Sequence, residues 1–303
     1  MDVKTTRPST DTTEASGRQR PWILPVFALA AVLTVLAGAG WYFARESAGH
    51  RIPPPAPAEP LRLRRAPHDS LIGAAERVDA YARSEFVPTP PAQGDWVHVW
   101  TEQWARDGDG GISPRQIQLL RAPDGSGHEY TWILPAVPAE DFRLAMVGST
   151  RFRLATMQRT DYGPGQITSH VDNPSNDPVR LLNQLHDIEP SSNGAPGVLR
   201  AISSLWLYSC PGTGVRAAIL RLLAGIEGLT INDHAIDDIG RPGYAITAAT
   251  ESSTDTMFVD PNTGMFMQLR QTYTVAGQRP AVHQYLIYKS CGYSSDTEPA
   301  VIA

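Results

Sequence analysis

Hydrophobic and polar positions follow three different patterns along this chain. From Trp22 to Phe43 no residue is charged and Thr34 is the one overtly polar side chain. Those 22 residues would make about 33 Å of helix at roughly 1.5 Å per residue, enough for the hydrocarbon core of a bilayer. Trp22, Trp41 and Tyr42 stand at its ends, where amphipathic rings favour the headgroup level. From Ser70 to Ser84 the pattern becomes helical, with Leu71, Ala75, Val78 and Ala82 on one stripe. Pro88 to Pro91 end that element, and strict alternation takes over from Asp95 to Trp104.

Two further strands are predicted at Gln116 to Arg121 and Glu129 to Leu134, joined through the turn Pro123-Asp124-Gly125-Ser126-Gly127 into an antiparallel meander. The middle reads as helical. Asp177 caps a helix with Pro178 at its first position, and Val198 to Leu207 and Val215 to Ile226 repeat the apolar spacing, with Gly228 as a stop. Strands return at Leu229 to Asn232, Tyr244 to Thr250, Thr256 to Val259, Met265 to Thr274 and Val282 to Tyr288. A hairpin turn, Asp260-Pro261-Asn262-Thr263-Gly264, lies among them. Strands, then helices, then strands imply an α+β domain with a curved antiparallel sheet packed on helices.

The organisation expected is therefore a short cytoplasmic tail (1–20), a transmembrane helix (21–43), a Pro-rich linker (44–67) and an extracytoplasmic domain (68–303). A cleaved signal peptide is the rival, with Arg18 and Arg20 as its basic region and Ala37-Gly38-Ala39 as its small-residue site. The apolar run continues past that site into Trp41, Tyr42 and Phe43, which favours a signal-anchor. Lys and Arg near the two ends number four against three, so charge does not orient the span. Large domains translocate largely regardless of charge, and the carboxy-terminal domain is placed outside. Pro53, Pro54, Pro55, Pro57 and Pro60 stiffen the linker, and Arg62, Arg64 and Arg65 follow it, either solvated or near anionic headgroups.

Composition is that of a folded protein, 42% hydrophobic and 19% charged. Residues 1–65 hold nine Lys/Arg and five Asp/Glu, against seventeen and twenty-six in the remainder. An acidic globular part lacks the clustered cations that a phosphate backbone requires, so nucleic acid is not expected as a partner. The partners expected are the lipid bilayer and an envelope protein or apolar ligand.

Cys210 and Cys291 are the two cysteines. Outside the cytoplasm they would pair and tie a helical segment to the carboxy-terminal strand; the alternative is two buried thiols. The scattered histidines show no HExxH and no i, i+4 pair, and no metal is assigned. Asp107-Gly108-Asp109-Gly110-Gly111 resembles a calcium loop only faintly, since Ile112 replaces the required glycine. Gly212-Thr213-Gly214-Val215-Arg216-Ala217 satisfies a dinucleotide-binding pattern and Asp233 follows at a suitable distance. The preceding residues fit a helix as well as a strand, and no further βαβ units follow. The plainer reading is a helix start with Thr213 as its cap. No catalytic residue and no cofactor are assigned; a nucleotide-dependent enzyme is kept as a remote alternative.

Trp96, His98, Trp100, Glu102 and Trp104 share one face of the first strand. They form the candidate ligand face, suited to an apolar ligand, or they pack between sheet and helix.

The ordered features at Trp96 to Trp104, Pro123 to Gly127, Gly240-Arg241-Pro242-Gly243 and Asp260 to Gly264 resemble a family across roughly residues 70–275. It is that of single-pass, membrane-anchored proteins of unassigned function from high-GC Gram-positive bacteria, often encoded beside extracytoplasmic-function sigma factors. The resemblance implies a cytoplasmic tail, one membrane helix and an exported α+β domain, and carries over no catalytic residue. The tail here is shorter than that family's, and the cysteine pair is not among its general features. The domain also looks like the curved sheets over helices of lipoprotein carriers and periplasmic sigma-pathway regulators. The function expected is a membrane-anchored extracytoplasmic sensor or interaction domain; the alternative is a tethered carrier or receptor for a lipid or other apolar ligand.

Overall fold

The computed structural model describes residues 58–84, 96–105, 111–112, 114–135, 137–138, 155–273 and 281–294. The tail, the apolar stretch 21–43, most of the Pro-rich linker and Asp107 to Gly110 lie outside them. Nine strands form one antiparallel sheet. In spatial order these are β6 (Thr156–Tyr162), β4 (Gly127–Ile133), β3 (Arg115–Arg121), β1 (Trp96–Ala105), β11 (Ala281–Ser294), β10 (Phe266–Tyr273), β9 (Ser253–Val259), β8 (Pro242–Ala249) and β7 (Leu229–Ile236). A small second sheet pairs β2 (Gly111–Ile112) with β5 (Val137–Pro138). Four α-helices are described: α1 (Asp69–Arg83), α2 (Pro178–His186), α3 (Gly194–Tyr208) and α4 (Thr213–Ala224). The α+β class is as the sequence implies. Among the described residues no helix is long and apolar enough to cross a membrane.

Local sequence accounts for most element ends. Asp177 caps α2 by accepting the Arg180 amide at 2.9 Å, with Pro178 at a position whose N–H has no intrahelical partner. The α4 cap is Gly212, with Thr213 already helical, so the expected Thr213 cap is displaced by one residue. Ser204 to Tyr208 belong to α3, so the glycines of the dinucleotide-like run follow a helix where that motif needs a strand. Three strands are markedly longer than periodicity implies, β9 by starting at Ser253. β7 extends to Ile236 through an irregularity between Asn232 and Ala235, and β11 runs to Ser294, carrying Cys291. β6 has no counterpart in the sequence reading: Thr-Met-Gln-Arg-Thr-Asp-Tyr is almost wholly exposed and shows no alternation of apolar and polar positions.

The core lies between one face of the sheet and the helices. Leu71, Ala74, Ala75 and Val78 of α1 meet Ala217, Ala218 and Leu222 of α4, where small side chains let the helices approach closely. Asp79 and Arg221 join the same two helices in an ion pair. Gly264 closes the β9–β10 turn with φ +65°, and a Cβ there would lie 2.8 Å from the Arg216 Cβ of α4. Val97 and Val99 of β1, Leu119 of β3, Met257 of β9 and Leu286 and Tyr288 of β11 complete this layer. At its centre the Tyr288 hydroxyl donates to the Trp206 carbonyl at 2.6 Å, and Trp206 and Phe266 meet the Tyr288 ring edge-on.

Cys210 and Cys291 are bonded, with Cα atoms 5.5 Å apart, and join the end of α3 to β11 across 81 residues of sequence. Closing a loop of that length stabilises the fold by on the order of 4.5 kcal/mol in the chain-entropy account. Tyr293 adds a second tie, its hydroxyl donating to the Cys210 carbonyl at 3.2 Å.

One charged cluster sits inside this layer. Asp255 of β9 is 2% exposed and takes Arg200 of α3 at 2.8 Å and the Gln271 amide at 3.2 Å. Burial pushes its carboxyl up from the ordinary range, and Arg200 pulls it back. Arg200 also reaches Glu189 at 3.1 Å, so one guanidinium fastens α3 both to the sheet and to the loop after α2. Removing a single partner of such a pair leaves a buried charge uncompensated. Arg200→Ala is expected to cost about 3 kcal/mol, read as a lowered urea midpoint with unchanged slope. Asp255→Asn in the same background should recover part of that loss.

Candidate ligand face and the loop clamp beside it

Alternation along β1 sends Val97 and Val99 to the helices and Trp96, His98, Trp100, Glu102 and Trp104 to the opposite side of the sheet. The valines, not the tryptophans, therefore face the four described helices. Neighbouring strands extend the face in rows. His98 stands beside Leu120 and His128, Trp100 beside Gln118 and Tyr130, and Glu102 beside Gln116 and Trp132. On the other flank Trp104 stacks on Tyr285 with ring centroids 4.6 Å apart and planes within 8°.

The five residues differ in setting. Trp104 and Glu102 are buried, whereas Trp96, His98 and Trp100 are half-buried. Glu102 pairs with Lys289 at 2.9 Å; burial raises its carboxyl pKa and Lys289 opposes the rise. Burial lowers the His98 imidazole, against a hydrogen bond with Gln118 that raises it. Trp96 stacks on His128 at 5.7 Å, and His128 shares Asp161 with Arg159, at 2.6 and 2.8 Å. Arg159 lies over the Tyr130 ring at 5.4 Å. Four buried polar atoms in this row have no hydrogen-bond partner among the described residues: His98 Nε2, Trp100 Nε1, Gln116 Oε1 and Tyr130 Oη. Buried polar groups are ordinarily satisfied, so the face is chemically prepared to accept hydrogen-bonding groups set against rings.

A second feature adjoins this face. A cavity of about 710 Å³ is lined by Asp233, His234, Arg241, Asp260, Asn262, Met267 and Lys289, among others. Its floor depends on Arg241. The Asp237 side chain, fully buried, accepts Arg241 Nε at 2.6 Å and also the amides of Ile239 and Arg241. The two other guanidinium nitrogens donate to the carbonyls of Tyr288 at 2.8 Å and Met267 at 2.7 Å. Both acceptors flank strand irregularities. Register shifts between Phe266 and Gln268, leaving Met267 as the extra residue of β10, and Lys289 is the extra residue of β11 opposite Trp100 and Thr101. A bulge interrupts the ladder locally, and Arg241 supplies the donors that the ladder does not.

The Gly240-Arg241-Pro242-Gly243 run thus has a structural explanation. Gly240 takes φ +90° to close the loop, and Arg241 enters the sheet as a clamp. Sequence reasoning assigned no role to Asp237 and Arg241; their signal was an Asp four residues before an Arg across a Gly. Lys289 links the two features, lining the cavity while holding Glu102 of the aromatic face. Among the described residues no cluster of three metal-ligating side chains occurs.

No family model matches the chain, and neither a curated protein nor a solved structure does.

Two measurements follow from this geometry. Arg241→Lys keeps the charge but cannot serve Asp237 and two carbonyls at once, and should cost about 3 kcal/mol in urea unfolding. The second concerns pH. A folded-state pKa above the unfolded one means that folding takes up a proton. The contribution of Glu102 is then fully present below its unfolded value and is lost as pH rises through the folded one. Lys289→Met removes the opposing charge, so its stability should fall more steeply than wild type on going from acid to neutral pH. Adding Glu102→Gln should abolish that difference.

Proposed function

We propose that this chain is a membrane-anchored extracytoplasmic interaction or sensor domain of the cell envelope, acting by binding. The observation that carries this reading is the Cys210–Cys291 cystine inside the folded part. Structural cystines persist in oxidising compartments and are rare in the cytosol. The uncharged stretch from Trp22 to Phe43 supplies an anchor of suitable length, and the Pro-rich segment after it a spacer. The acidic balance after residue 65 suits a partner with basic or polar surface better than an anionic one.

Labelling intact cells with a membrane-impermeant thiol reagent, with and without prior reduction, tests the compartment. Labelling of both cysteines only after reduction, on protein that retains the apolar stretch, is the expected result. Free thiols reached only after lysis would overturn the reading.

One observation favours a second reading, a tethered receptor or carrier for a lipid or other apolar ligand. Trp96, Trp100 and Trp132 lie half-buried on a face that also holds the unpartnered Trp100 Nε1 and Tyr130 Oη. Rings with a few convergent polar atoms are the usual lining of a small-molecule site. Native mass spectrometry of gently purified protein should then show a copurifying mass that Trp100→Ala reduces. A clean apo mass would remove this second reading and leave the first standing.

A further inference from the structure

The two ends of the sheet are built differently. At one end β7 is interrupted between Asn232 and Ala235, with Asp233 and His234 looped out of register. Such an irregularity is a usual protection of an edge strand. At the other end β6 pairs with β4 in seven consecutive positions, from Thr156 opposite Ile133 to Tyr162 opposite Gly127, with no shift. No described strand lies on its outer side. The six residues from Thr156 to Asp161 are all exposed, and Met157 is 55% exposed. β6 contains no Pro, Gly, Lys or bulge, and its Arg159 and Asp161 neutralise one another at 2.8 Å. The devices that keep edges apart are missing from this strand.

We propose that β6 is a self-pairing edge: two copies of the chain join antiparallel through Thr156–Tyr162 about a two-fold axis at Thr160, continuing two sheets into one. The register follows from side-chain chemistry. With the axis normal to the sheet, opposed residues must share a face, so the axis falls on a residue. An axis at Arg159 sets two guanidiniums directly opposite, and one at Asp161 sets two carboxylates opposite, both unfavourable. An axis at Gln158 pairs as many residues of the strand, but it sets Arg159 against Met157 and Asp161 against Ala155, so it forms no ion pair between the copies. The axis at Thr160 places Arg159 against Asp161 of the second copy twice over. The ion pair already within each strand then joins its counterpart in a ring of four alternating charges. On the other face Thr160 meets Thr160 of the second copy, a favourable hydroxyl pair, and Gln158 meets Tyr162 of the second copy. Met157 falls beside Gly163 of the second copy, and Pro164, which lacks an N–H, ends the ladder there. This inference does not rest on the proposed function, although Arg159 and Asp161 also border the aromatic face.

The test uses the full chain in mild detergent. Sedimentation should show a concentration-dependent dimer and nothing larger. Thr160→Cys, on the axis, should give a disulfide-linked dimer on a non-reducing gel. Gln158→Cys should not, because the two copies of position 158 would stand about 13 Å apart, four residues along the strand and beyond disulfide reach. Asp161→Arg should weaken the dimer about tenfold or more, and Arg159→Asp added to it should restore the pairing. A wild-type chain that stays monomeric at tens of micromolar overturns the proposal. So does crosslinking at 158 as efficient as at 160, a dimer indifferent to Asp161→Arg, or growth into open-ended assemblies.

Discussion

Strand β11 carries the sheet across its middle: β1, β3, β4 and β6 extend from one of its edges, and β10, β9, β8 and β7 from the other. Everything on either side depends on which way its side chains point, and that parity changes inside the strand. Tyr288 and Cys291 both face the helices although three positions apart, which an uninterrupted strand forbids. The extra residue at Lys289 resolves the conflict. It lets Leu286 and Tyr288 enter the core, sends Lys289 to Glu102 on the opposite side, and returns Cys291 to meet Cys210. β10 contains the same device one strand away, where Phe266 and Leu269 both reach the core because Met267 is extra.

A sheet whose neighbouring strands carry extra residues at Met267 and Lys289 has carbonyls its own ladder does not satisfy there, and the Asp237–Arg241 loop supplies the donors. The arrangement costs desolvation of a carboxylate and most of a guanidinium, which an ion pair alone seldom repays. Here the guanidinium also satisfies two backbone acceptors and the carboxylate two further amides, so few buried polar groups remain unmet. The cavity next to the clamp follows from this, since the loop must stand off the strands far enough for Arg241 to reach over the end of β9. Arg241 lines the cavity but is fully engaged by Asp237 and the two carbonyls.

Periodicity made the α+β class legible, together with the helix stripes of α1 and α2, the meander of β1, β3 and β4, and the two turns at Pro123 to Gly127 and Asp260 to Gly264. Each of these is a local property, read from alternation or from a turn that needs Gly or Asp. What escaped was non-local. β6 has no apolar face to betray it, because its stability comes from pairing with β4 and from Tyr162 at its end. The far half of β11 was hidden by its bulge, which breaks alternation just where a reader would extend it. Alternation sets Trp96, His98, Trp100, Glu102 and Trp104 on one side of β1, but which side meets the described helices is not readable from it, because valines and tryptophans are equally good candidates. Burial by the helices went to the valines.

Ala58 to Pro67 and strand β6 lie at opposite ends of the sheet. Ala58 to Pro67, the described end of the Pro-rich segment, is fixed on the domain. Leu63 bridges Ile226, and Arg64 donates to the carbonyls of Ile226 and Leu229 at 3.1 Å each. Leu229 opens β7, so this segment runs beside the edge that the Asp233–His234 irregularity also protects. β6 has no described strand on its outer side and no bulge. A domain that bound partners through β7 would have to do so past its own linker.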